Sequence, residues 1–580
     1  MNLIIDTTQQ SIMKEYDLDT TTTNTSILAS DDILTLSREL NLILIPLQGD
    51  TKTDTLAAIS FCVLLLPLAQ GLSFIWTQWV LYTALSCTLD ITYPNSGSTL
   101  NDFQHSHFAK FGNHQYVNGT SKFLLYHSTQ KGLYEIKSYS WHGIYPSFEY
   151  FNVESRKRVK CISGIEGVPV SNQWNSKGHF YPIQIAQYGL SHFSKSFNND
   201  SKFVNIMDQM LNNKNFEQTY INPKIYYYNI KTDNAQINLD VDYQNRYLIL
   251  DIKFKRYISS LHLYIKNKYN ENNLELVYTF NSDNISDICF MKIKNRFFIK
   301  LPFKLNIWNK IRRDFYTDIK KSLHINDVKS KQYRIKYMII KNCQSCIISK
   351  LQFSTSQSIE LVEPTIEWII KNQDAKGGWP MNFNLKEKKL RSGWYSSMAQ
   401  GQIISLLVRY YYLKKDVQYL KSSIKAFNIF NISTVKGGVK AYVFNKYIWL
   451  EEYPSIPPTF VLNGFMYSIV GIYDLQQALK YYLVNNDNSF KIITNRINIL
   501  LNLVGKSLKT LLPLYDTGSG SLYDLTHITQ KYPPNRARWD YHVVHINLLQ
   551  LMSVIFNDSY YFDVSMRWKG YLYGNRTKHN

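Results

Sequence analysis

Apolar and polar residues alternate along the middle of this 580-residue chain. The alternation is clearest where one face of a predicted strand carries Leu248, Leu250, Ile252 and Phe254. Period-two patterning with Asn-rich turns predicts antiparallel β-structure, a sandwich or barrel, over 215–355. The stretch before it, 87–214, is aromatic and rich in turn residues, which predicts a β-rich domain without a long helix.

Beyond Pro364 the pattern becomes helical. We predict helices at about 361–373, 397–413, 417–430, 462–482, 489–511 and 543–556. The loops between them carry the unusual residues, at 376–380, 451–454, 515–520 and 535–542. Alternation of helices with such loops predicts an α/α toroid over 356–580, with a cleft at one end. The fold class expected is therefore α+β and multidomain.

No charged residue lies between Asp54 and Asp90. This span predicts a transmembrane signal-anchor at 55–86, preceded by a disordered cytosolic segment at 1–54. A cleaved signal peptide after a long N-terminal extension is the alternative. Sequons follow the span at Asn118, Asn199, Asn284, Asn431, Asn557 and Asn575. Span and sequons together favour a single-pass type II protein with its domains in a secretory lumen.

A formal net charge of +21 indicates a polyanionic partner, either nucleic acid or an acidic glycan. The sequence has no zinc-finger spacing, RNA-binding aromatic signature or phosphate-cradling Gly-rich loop, so nucleic acid is not expected. A lysine excess from an AT-rich genome is the competing explanation of the charge. The pair Cys343 and Cys346 lacks a second pair, which argues against zinc and leaves a disulfide or two buried thiols open.

The segment 535–542 concentrates chemistry in a short stretch. Arg536 and Arg538 can pair with carboxylate or sulfate. Trp539 offers a flat face to a sugar ring, and Tyr541 can move a proton. Few structural needs call for all of these together, so the segment indicates a site for an acidic sugar.

Several longer motifs carry a resemblance to a known family. They are GGWP (377–380), GWYSSMAQGQ (393–402), EEYP (451–454), FVLNGFMY (460–467), LPLYDTGSG (512–520) and ARWDYH (537–542), with RVKCISG (158–164) and YPIQIAQYGLSH (181–192) upstream. These motifs resemble the D-glucuronyl C5-epimerases of heparan sulfate synthesis. The similarity runs through about 150–195 and 360–580, is weak over 200–355 and is absent before about 140.

The resemblance implies C5 inversion of D-glucuronate to L-iduronate in N-sulfated heparosan, by a homodimeric Golgi membrane protein. It implies an N-terminal β-hairpin domain, a β-barrel or sandwich domain and a C-terminal α/α catalytic domain, here at 87–214, 215–355 and 356–580. The chemistry requires no cofactor. The middle domain of relatives can hold a structural calcium ion, but no matching ligands are identified here, and Ser349 stands where an Asp is expected.

The reaction itself constrains the site. The C5 proton is α to a carboxylate, so its removal builds an enolate whose charge positive groups must stabilise. Inversion needs one group to remove the proton and another, on the opposite face, to return it. The resemblance places Glu452, Tyr453, Tyr523 and Tyr541 around the reacting centre, without assigning their faces.

Substrate contacts are expected from side chains that bind sulfate, carboxylate or hydroxyl groups: Lys160, Gln187, Tyr188, Ser191, Asn463, Tyr467, Asn535, Arg536, Arg538, Trp539, Asp540 and His542. The basic run at 386–391 is interpreted as a further polymer contact. Two departures from the family concern the same region, a shortened loop at 381–392 and Thr526 where an Arg is usual.

Two other functions compete with epimerisation. A uronate lyase shares the first step and then expels the C4 oxygen, which cuts the chain. A glycosaminoglycan-binding protein that has lost activity is the second alternative. The presence of all four proposed proton-transfer residues argues against the latter.

Overall fold

The computed structural model describes residues 112–117, 120–125, 135–146, 148–197, 203–222, 225–241, 245–267, 273–280, 289–323, 333–355, 359–486, 489–530 and 532–577. The predicted segments at 1–54 and 55–86 lie outside them. Contacts divide the chain into two units, 1–124 and 125–580. The described residues of the first unit are strand β1, Gly112–Val117, and all but the last residue of strand β2, Thr120–Leu125; the two strands pair in a two-stranded sheet.

Two six-stranded sheets form the middle of the second unit. Their strands are β6 Phe203–Asn205, β7 Phe216–Asn222, β8 Ile225–Ile230, β9 Asn234–Val241, β10 Tyr247–Lys253, β11 Ser259–Asn267, β12 Asn273–Phe280, β13 Met291–Ile293, β14 Arg296–Lys300, β15 Trp308–Asp314, β16 Tyr333–Lys341 and β17 Ile347–Ser354. One sheet has the order β15-β10-β17-β8-β7, with β6 also beside β17, and the other β13-β14-β12-β11-β16-β9.

The apolar faces of both sheets contribute to one core. Leu248, Leu250, Ile252 and Phe254, the residues that gave the period-two pattern, are all buried in it. Pairing is antiparallel apart from β12 with β14, which is parallel. Short helices α2, Met207–Met210, and α3, Phe315–Ser322, join these strands.

A small three-stranded sheet and one long helix precede this region. The strands are β3 Val159–Ile162, β4 Pro169–Ser171 and β5 His179–Phe180, and the helix is α1, Pro182–Lys195. The expectation of no long helix in 87–214 was therefore wrong. Nearly every residue of α1 is buried, including Gln184, Gln187 and Ser191. The stretch around α1 is aromatic and rich in turn residues, which favoured β-structure and led to the wrong expectation.

Helices dominate the rest of the chain. They are α4 Glu363–Lys371, α5 Ser397–Lys414, α6 Val417–Phe427, α7 Leu462–Asn485, α8 Lys491–Leu511, α9 Thr526–Thr529, α10 Trp539–Phe556 and α11 Ser559–Tyr571, with the hairpin β18 Lys440–Val443 and β19 Tyr447–Leu450. The mixed α+β class is confirmed, whereas the barrel and toroid forms remain predictions. Helix α10 begins at Trp539 rather than near 543, so the second half of segment 535–542 is helical and not a loop.

Buried polar contacts hold these parts together. Arg409 on α5 pairs with Asp474 on α7 at 2.7 Å, and both side chains are fully buried. Arg313 on β15 donates to the carbonyls of Ile162 and Ser163, which ties the sheets to the segment before α1. A disulfide between Cys161 and Cys289 makes a second link. Cys343 and Cys346 also form a disulfide, which decides between the two alternatives left by the sequence.

The predicted localisation needs correction. Among the helices of the described ranges, none is long and apolar enough to cross a membrane. This finding overturns the expectation of a single-pass Golgi membrane protein. The span at 55–86, on which that expectation rested, is not among the residues whose structure is described.

Candidate active site

The loop after β19 places two adjacent carboxylates in different surroundings. Glu451 accepts hydrogen bonds from the backbone N–H groups of Thr459 and Phe460, at 3.2 and 3.0 Å, and from the Thr459 hydroxyl. Burial nevertheless raises the pKa of Glu451 to about 8. Its oxygens are occupied by the loop that precedes α7, so Glu451 is a brace for that loop.

Glu452 is also buried, but, unlike Glu451, it has an oxygen atom that accepts no hydrogen bond. Its side chain is 4% exposed, yet its Oε2 atom is buried without any hydrogen-bond partner. Burial raises the pKa of Glu452 to about 7, against smaller opposing effects of Tyr453 and Lys388. A carboxyl group that titrates near neutrality can both take and return a proton.

Phenol groups surround this carboxylate. Burial, and then the charge of Glu452, raise the pKa of Tyr453, Tyr181 and Tyr523 well above the ordinary tyrosine value. These three side chains therefore remain neutral phenols near pH 7, which suits proton donors rather than bases. The ring of Tyr541 meets that of Tyr523 edge-on, with centroids 4.9 Å apart.

Backbone hydrogen bonds help to position Tyr523 beside Tyr541. Tyr523 donates its N–H to the Asn535 carbonyl at 2.8 Å, and its own carbonyl accepts from Leu462 at the start of α7. Tyr541 follows in the first turn of α10. Segment 521–537 and the beginnings of α7 and α10 thus meet at the carboxylate loop.

Guanidinium groups approach from the segment before β3. Burial, and then the charge of neighbouring Arg158, lower the pKa of Arg156, which lies within electrostatic reach of Tyr541 and Tyr467. The charge of Arg158 reaches Tyr181. The Lys321 ammonium on α3 donates to the carbonyls of Arg156 and Val159, both at 2.8 Å, and so fixes the turn that carries these cations.

A cavity of about 510 Å³ opens beside the carboxylate loop. Its cations are Lys388, Lys389 and Arg536, and its other lining includes Asp524 and Thr526. The Lys388 ammonium also lies 6.0 Å from the centre of the Tyr453 ring. Lys388 therefore lies near the phenol cluster and also lines this cavity.

Some of the predicted site residues lie close together in the structure, and others lie elsewhere. Glu452, Tyr453, Tyr523, Tyr541 and Tyr467 come together, as their mutual effects on pKa require.

Arg538, 70% exposed, pairs at 3.2 Å with exposed Asp540, and its guanidinium lies 5.4 Å from the Tyr541 ring centre. Asn535 donates to Asp524, and Arg536 reaches the basic cavity.

Other residues predicted to contact the substrate are buried or hydrogen-bond to other groups of the protein. His542 is fully buried, with Nδ1 at 2.8 Å from the Ser521 hydroxyl and Nε2 at 2.9 Å from the Trp568 carbonyl. Ser191 donates to the carbonyl of Tyr188, which packs in a small apolar cluster. In the structure, the contacts of these three side chains are with other parts of the protein.

Of the remaining predicted contact residues, three contact other protein groups and one has an atom without a partner. Gln187 accepts from Arg156, and Lys160 donates to the Lys177 carbonyl. Asn463, at the start of α7, has a buried Oδ1 atom without a partner. Trp539 packs edge-on against His542.

Sequence reasoning missed Tyr181 and the cations Arg156 and Arg158. The signals for them were the basic run at 156–160 and the two upstream family motifs, which contain Arg158 and Tyr181. Within the described part of the chain, no three His, Cys, Asp or Glu side chains are grouped so that they could hold a metal ion.

Comparison with known proteins decides the family. A sequence profile described as the D-glucuronyl C5-epimerase C-terminus matches residues 373–570. A D-glucuronyl C5-epimerase of Caenorhabditis elegans is 32% identical over 514 residues, which cover 79% of this chain and 83% of that protein. The chain belongs to the D-glucuronyl C5-epimerase family. It is therefore an epimerase, an enzyme of the isomerase class, as the motifs indicated.

More distant similarities add little to the epimerase assignment. An uncharacterized protein of Methanocaldococcus jannaschii is 27% identical over 220 residues, 37% of this chain and 61% of that protein. A thermostable cellulase derived from a Rhodothermus marinus enzyme covers 27% of this chain and 96% of its own, with 7% identity and a TM-score of 0.15. A likeness this low carries no argument.

Proposed function

We propose that this epimerase converts D-glucuronate to L-iduronate within N-sulfated heparosan, during heparan sulfate or heparin synthesis. The observation that carries the proposal is the buried Glu452 carboxylate, whose Oε2 atom lacks a partner among neutral phenols. Leaving a buried carboxylate oxygen without a partner costs free energy. A role in removing the weakly acidic C5 proton accounts for this cost.

The proposed reaction has two proton transfers. The Glu452 carboxylate takes the C5 proton, and the electron pair delocalises into the uronate carboxylate as an enolate. A phenol of the Tyr523–Tyr541 pair then donates a proton to C5 from the opposite face, leaving a phenolate. Glu452 then releases its proton to solvent, and the phenolate takes up a proton from solvent. Both groups thereby return to their starting protonation states.

Positive charge near the uronate carboxylate stabilises the enolate and so makes the C5 proton more acidic. We assign this role to Arg156 and Arg158, whose charges reach the tyrosines, and to Arg538, beside Tyr541. Guanidinium groups can pair bidentately with a carboxylate, and their attraction grows as the enolate forms. Lys388, Lys389 and Arg536 line the adjacent cavity and would bind the sulfate groups of neighbouring residues.

A homodimer is part of the proposal. Helix α8 exposes Ile492, Ile499 and Leu503 to solvent, and their spacing places them on one face of the helix. Such an apolar stripe can be covered by a second copy of the chain. Light scattering of the purified enzyme at dilute concentration tests this part by itself.

The decisive experiment incubates the enzyme with N-sulfated heparosan in deuterated water. We expect deuterium at C5 together with L-iduronate, and no chain cleavage. Unsaturated uronate products would replace the proposal with a lyase. Binding of the polymer without any exchange would leave only a glycosaminoglycan-binding protein.

A further inference from the structure

The first turn of α10, which carries Tyr541, begins without a side-chain cap. Arg538 stands at the N-cap position, and its side chain makes no capping hydrogen bond. The first N–H groups of a helix have no partner within the helix, and a Ser, Thr, Asp or Asn cap usually holds such a turn. A proton donor on this turn therefore needs another contact to keep it in place.

The Ser521 hydroxyl supplies this contact. Its Oγ atom lies 2.8 Å from Nδ1 of His542 and 2.9 Å from Nδ1 of His545, and both imidazoles belong to α10. All three side chains are buried. The Ser521 carbonyl also accepts from the Ala537 N–H at 2.8 Å, just before the helix. One residue thus holds both α10 and the segment that leads into it.

The directions of these hydrogen bonds follow from the carbonyl of Trp568 on α11. That oxygen can only accept, so Nε2 of His542, 2.9 Å away, carries the ring hydrogen. Burial lowers the pKa of His542 to about 4, so the ring is neutral and its Nδ1 atom accepts from the Ser521 hydroxyl. The hydroxyl has only one hydrogen, so its oxygen accepts from Nδ1–H of His545. This leaves Nε2 of His545 as a bare acceptor, and that atom is buried without a partner.

Ser521 also lies two positions before Tyr523. Leu522, between them, pairs with Arg536 in an antiparallel bridge. The chain that carries Tyr523 therefore runs beside the segment that enters α10, and Ser521 joins the two. The rings of Tyr523 and Tyr541 meet edge-on across this junction, with centroids 4.9 Å apart.

We propose that Ser521 is a positioning residue: through His542 and His545 it fixes the first turn of α10 and so holds the Tyr541 phenol against Tyr523. The three buried side chains act through Tyr541 and not on the substrate. The inference rests on the proposed function, in which this tyrosine pair returns a proton to C5. Proton transfer needs a donor within hydrogen-bond reach, so a small shift of the phenol slows the chemistry without weakening the binding of the polymer.

Ser521→Ala removes the shared hydroxyl. We expect kcat for C5 exchange to fall about 10- to 100-fold while KM changes by less than about twofold, because the phenol moves and the polymer contacts do not. Ser423→Ala on α6 is the matched control. It also removes a buried hydroxyl, one that donates to the Tyr419 carbonyl at 2.9 Å, and should keep the original kcat. A Ser521→Ala enzyme that is folded by near-UV circular dichroism and has an unchanged kcat would refute the inference.

Two substitutions of His542 separate positioning from general stability. In His542→Asn the amide oxygen takes the place of Nδ1 and keeps the bond from Ser521. In His542→Gln the amide nitrogen takes the place of Nε2 and keeps only the bond to the Trp568 carbonyl. We expect kcat of the Asn variant to exceed that of the Gln variant by about tenfold, at similar midpoints of thermal unfolding. Equal kcat values would contradict the proposal, even if Ser521→Ala does not fold.

Solid-state 15N NMR of the enzyme labelled in histidine tests the hydrogen-bond chain without any activity measurement. His542 should carry its hydrogen on Nε2 and His545 on Nδ1, and Ser521→Ala should shift both signals. A hydrogen on Nε2 of His545 would overturn the inference. If the unaltered enzyme exchanges no C5 proton, the proposed function fails whatever the NMR spectrum shows; normal exchange with the wrong tautomers is a failure of this inference alone.

Discussion

Gly464 on α7 lies so close to Glu452 that a Cβ atom at residue 464 would stand 2.5 Å from Oε2 of the carboxylate. Gly464→Ala gains about 1 kcal/mol of helix propensity. The added methyl group meets the stiff base of the Glu452 side chain as well as its tip, and overpacking of this kind costs about 1–3 kcal/mol. We expect a small net change in the free energy of unfolding but a fall of at least tenfold in C5 exchange, because the carboxylate is displaced.

The control for this substitution is Gly570→Ala on α11. There the nearest atom is the Nδ2 tip of Asn575, at 2.9 Å, which can swing away. This variant should keep full exchange. Equal activity of the two variants would show that Gly464 does not position the carboxylate.

Removing the charge of Glu452 tests its role as the base. Glu452→Gln should lower C5 deuterium incorporation by about 10²–10⁴-fold, the usual range for a positioned acid–base group. Near-UV circular dichroism should be unchanged. Glu217→Gln, at an exposed site on β7, serves as control and should retain activity. Exchange by Glu452→Gln at the level of that control would exclude Glu452 from the reaction.

The same carboxylate sets the expected pH dependence. Burial raises the pKa of Glu452 to about 7, so the proton is held below that pH and the base is lost. The value of kcat/KM should therefore rise with pH up to about 7 and then level off. A profile already flat from pH 5 upward would mean that another group removes the proton.

The family resemblance, and not any local pattern, grouped Glu452, Tyr453, Tyr523 and Tyr541, which lie far apart in the sequence. The structure brings these four side chains close together, and their catalytic role stays a prediction. Tyr181 and Arg156 approach from a segment more than 250 residues away, and only tertiary contacts such as the Lys321 bonds bring them in. Local signals cannot report such pairings.

The predicted start of α10 was wrong, because a local signal is missing there. Arg538 is the N-cap of α10 and gives no side-chain cap hydrogen bond, so the usual Ser, Thr, Asp or Asn signal is missing. The sequence therefore placed the helix start several residues late. Helix α1 was missed for a different reason, because the surrounding stretch is aromatic and rich in turn residues.

The tyrosine pair provides the test of the second proton transfer. Tyr541→Phe and Tyr523→Phe keep the ring contact but remove the hydroxyl groups. We expect at least one of them to lower C5 exchange by about 100-fold or more, while polymer binding stays within a few fold. Tyr573→Phe, on an exposed tyrosine near the C-terminus, is the control. Full exchange by both Tyr541→Phe and Tyr523→Phe would refute donation by this pair.

Asp474→Asn tests the stability that buried charges lend to the catalytic region. The pair Arg409–Asp474 joins α5 to α7, and the Tyr139 hydroxyl also donates to this carboxylate. Removing one charge leaves a buried guanidinium unpaired, which costs about 3–5 kcal/mol. The exposed pair Arg538–Asp540 is the comparison, where Asp540→Asn should change the free energy of unfolding by less than about 1 kcal/mol. Urea denaturation of both variants measures the difference, and comparable losses would show that burial does not decide the strength of these pairs.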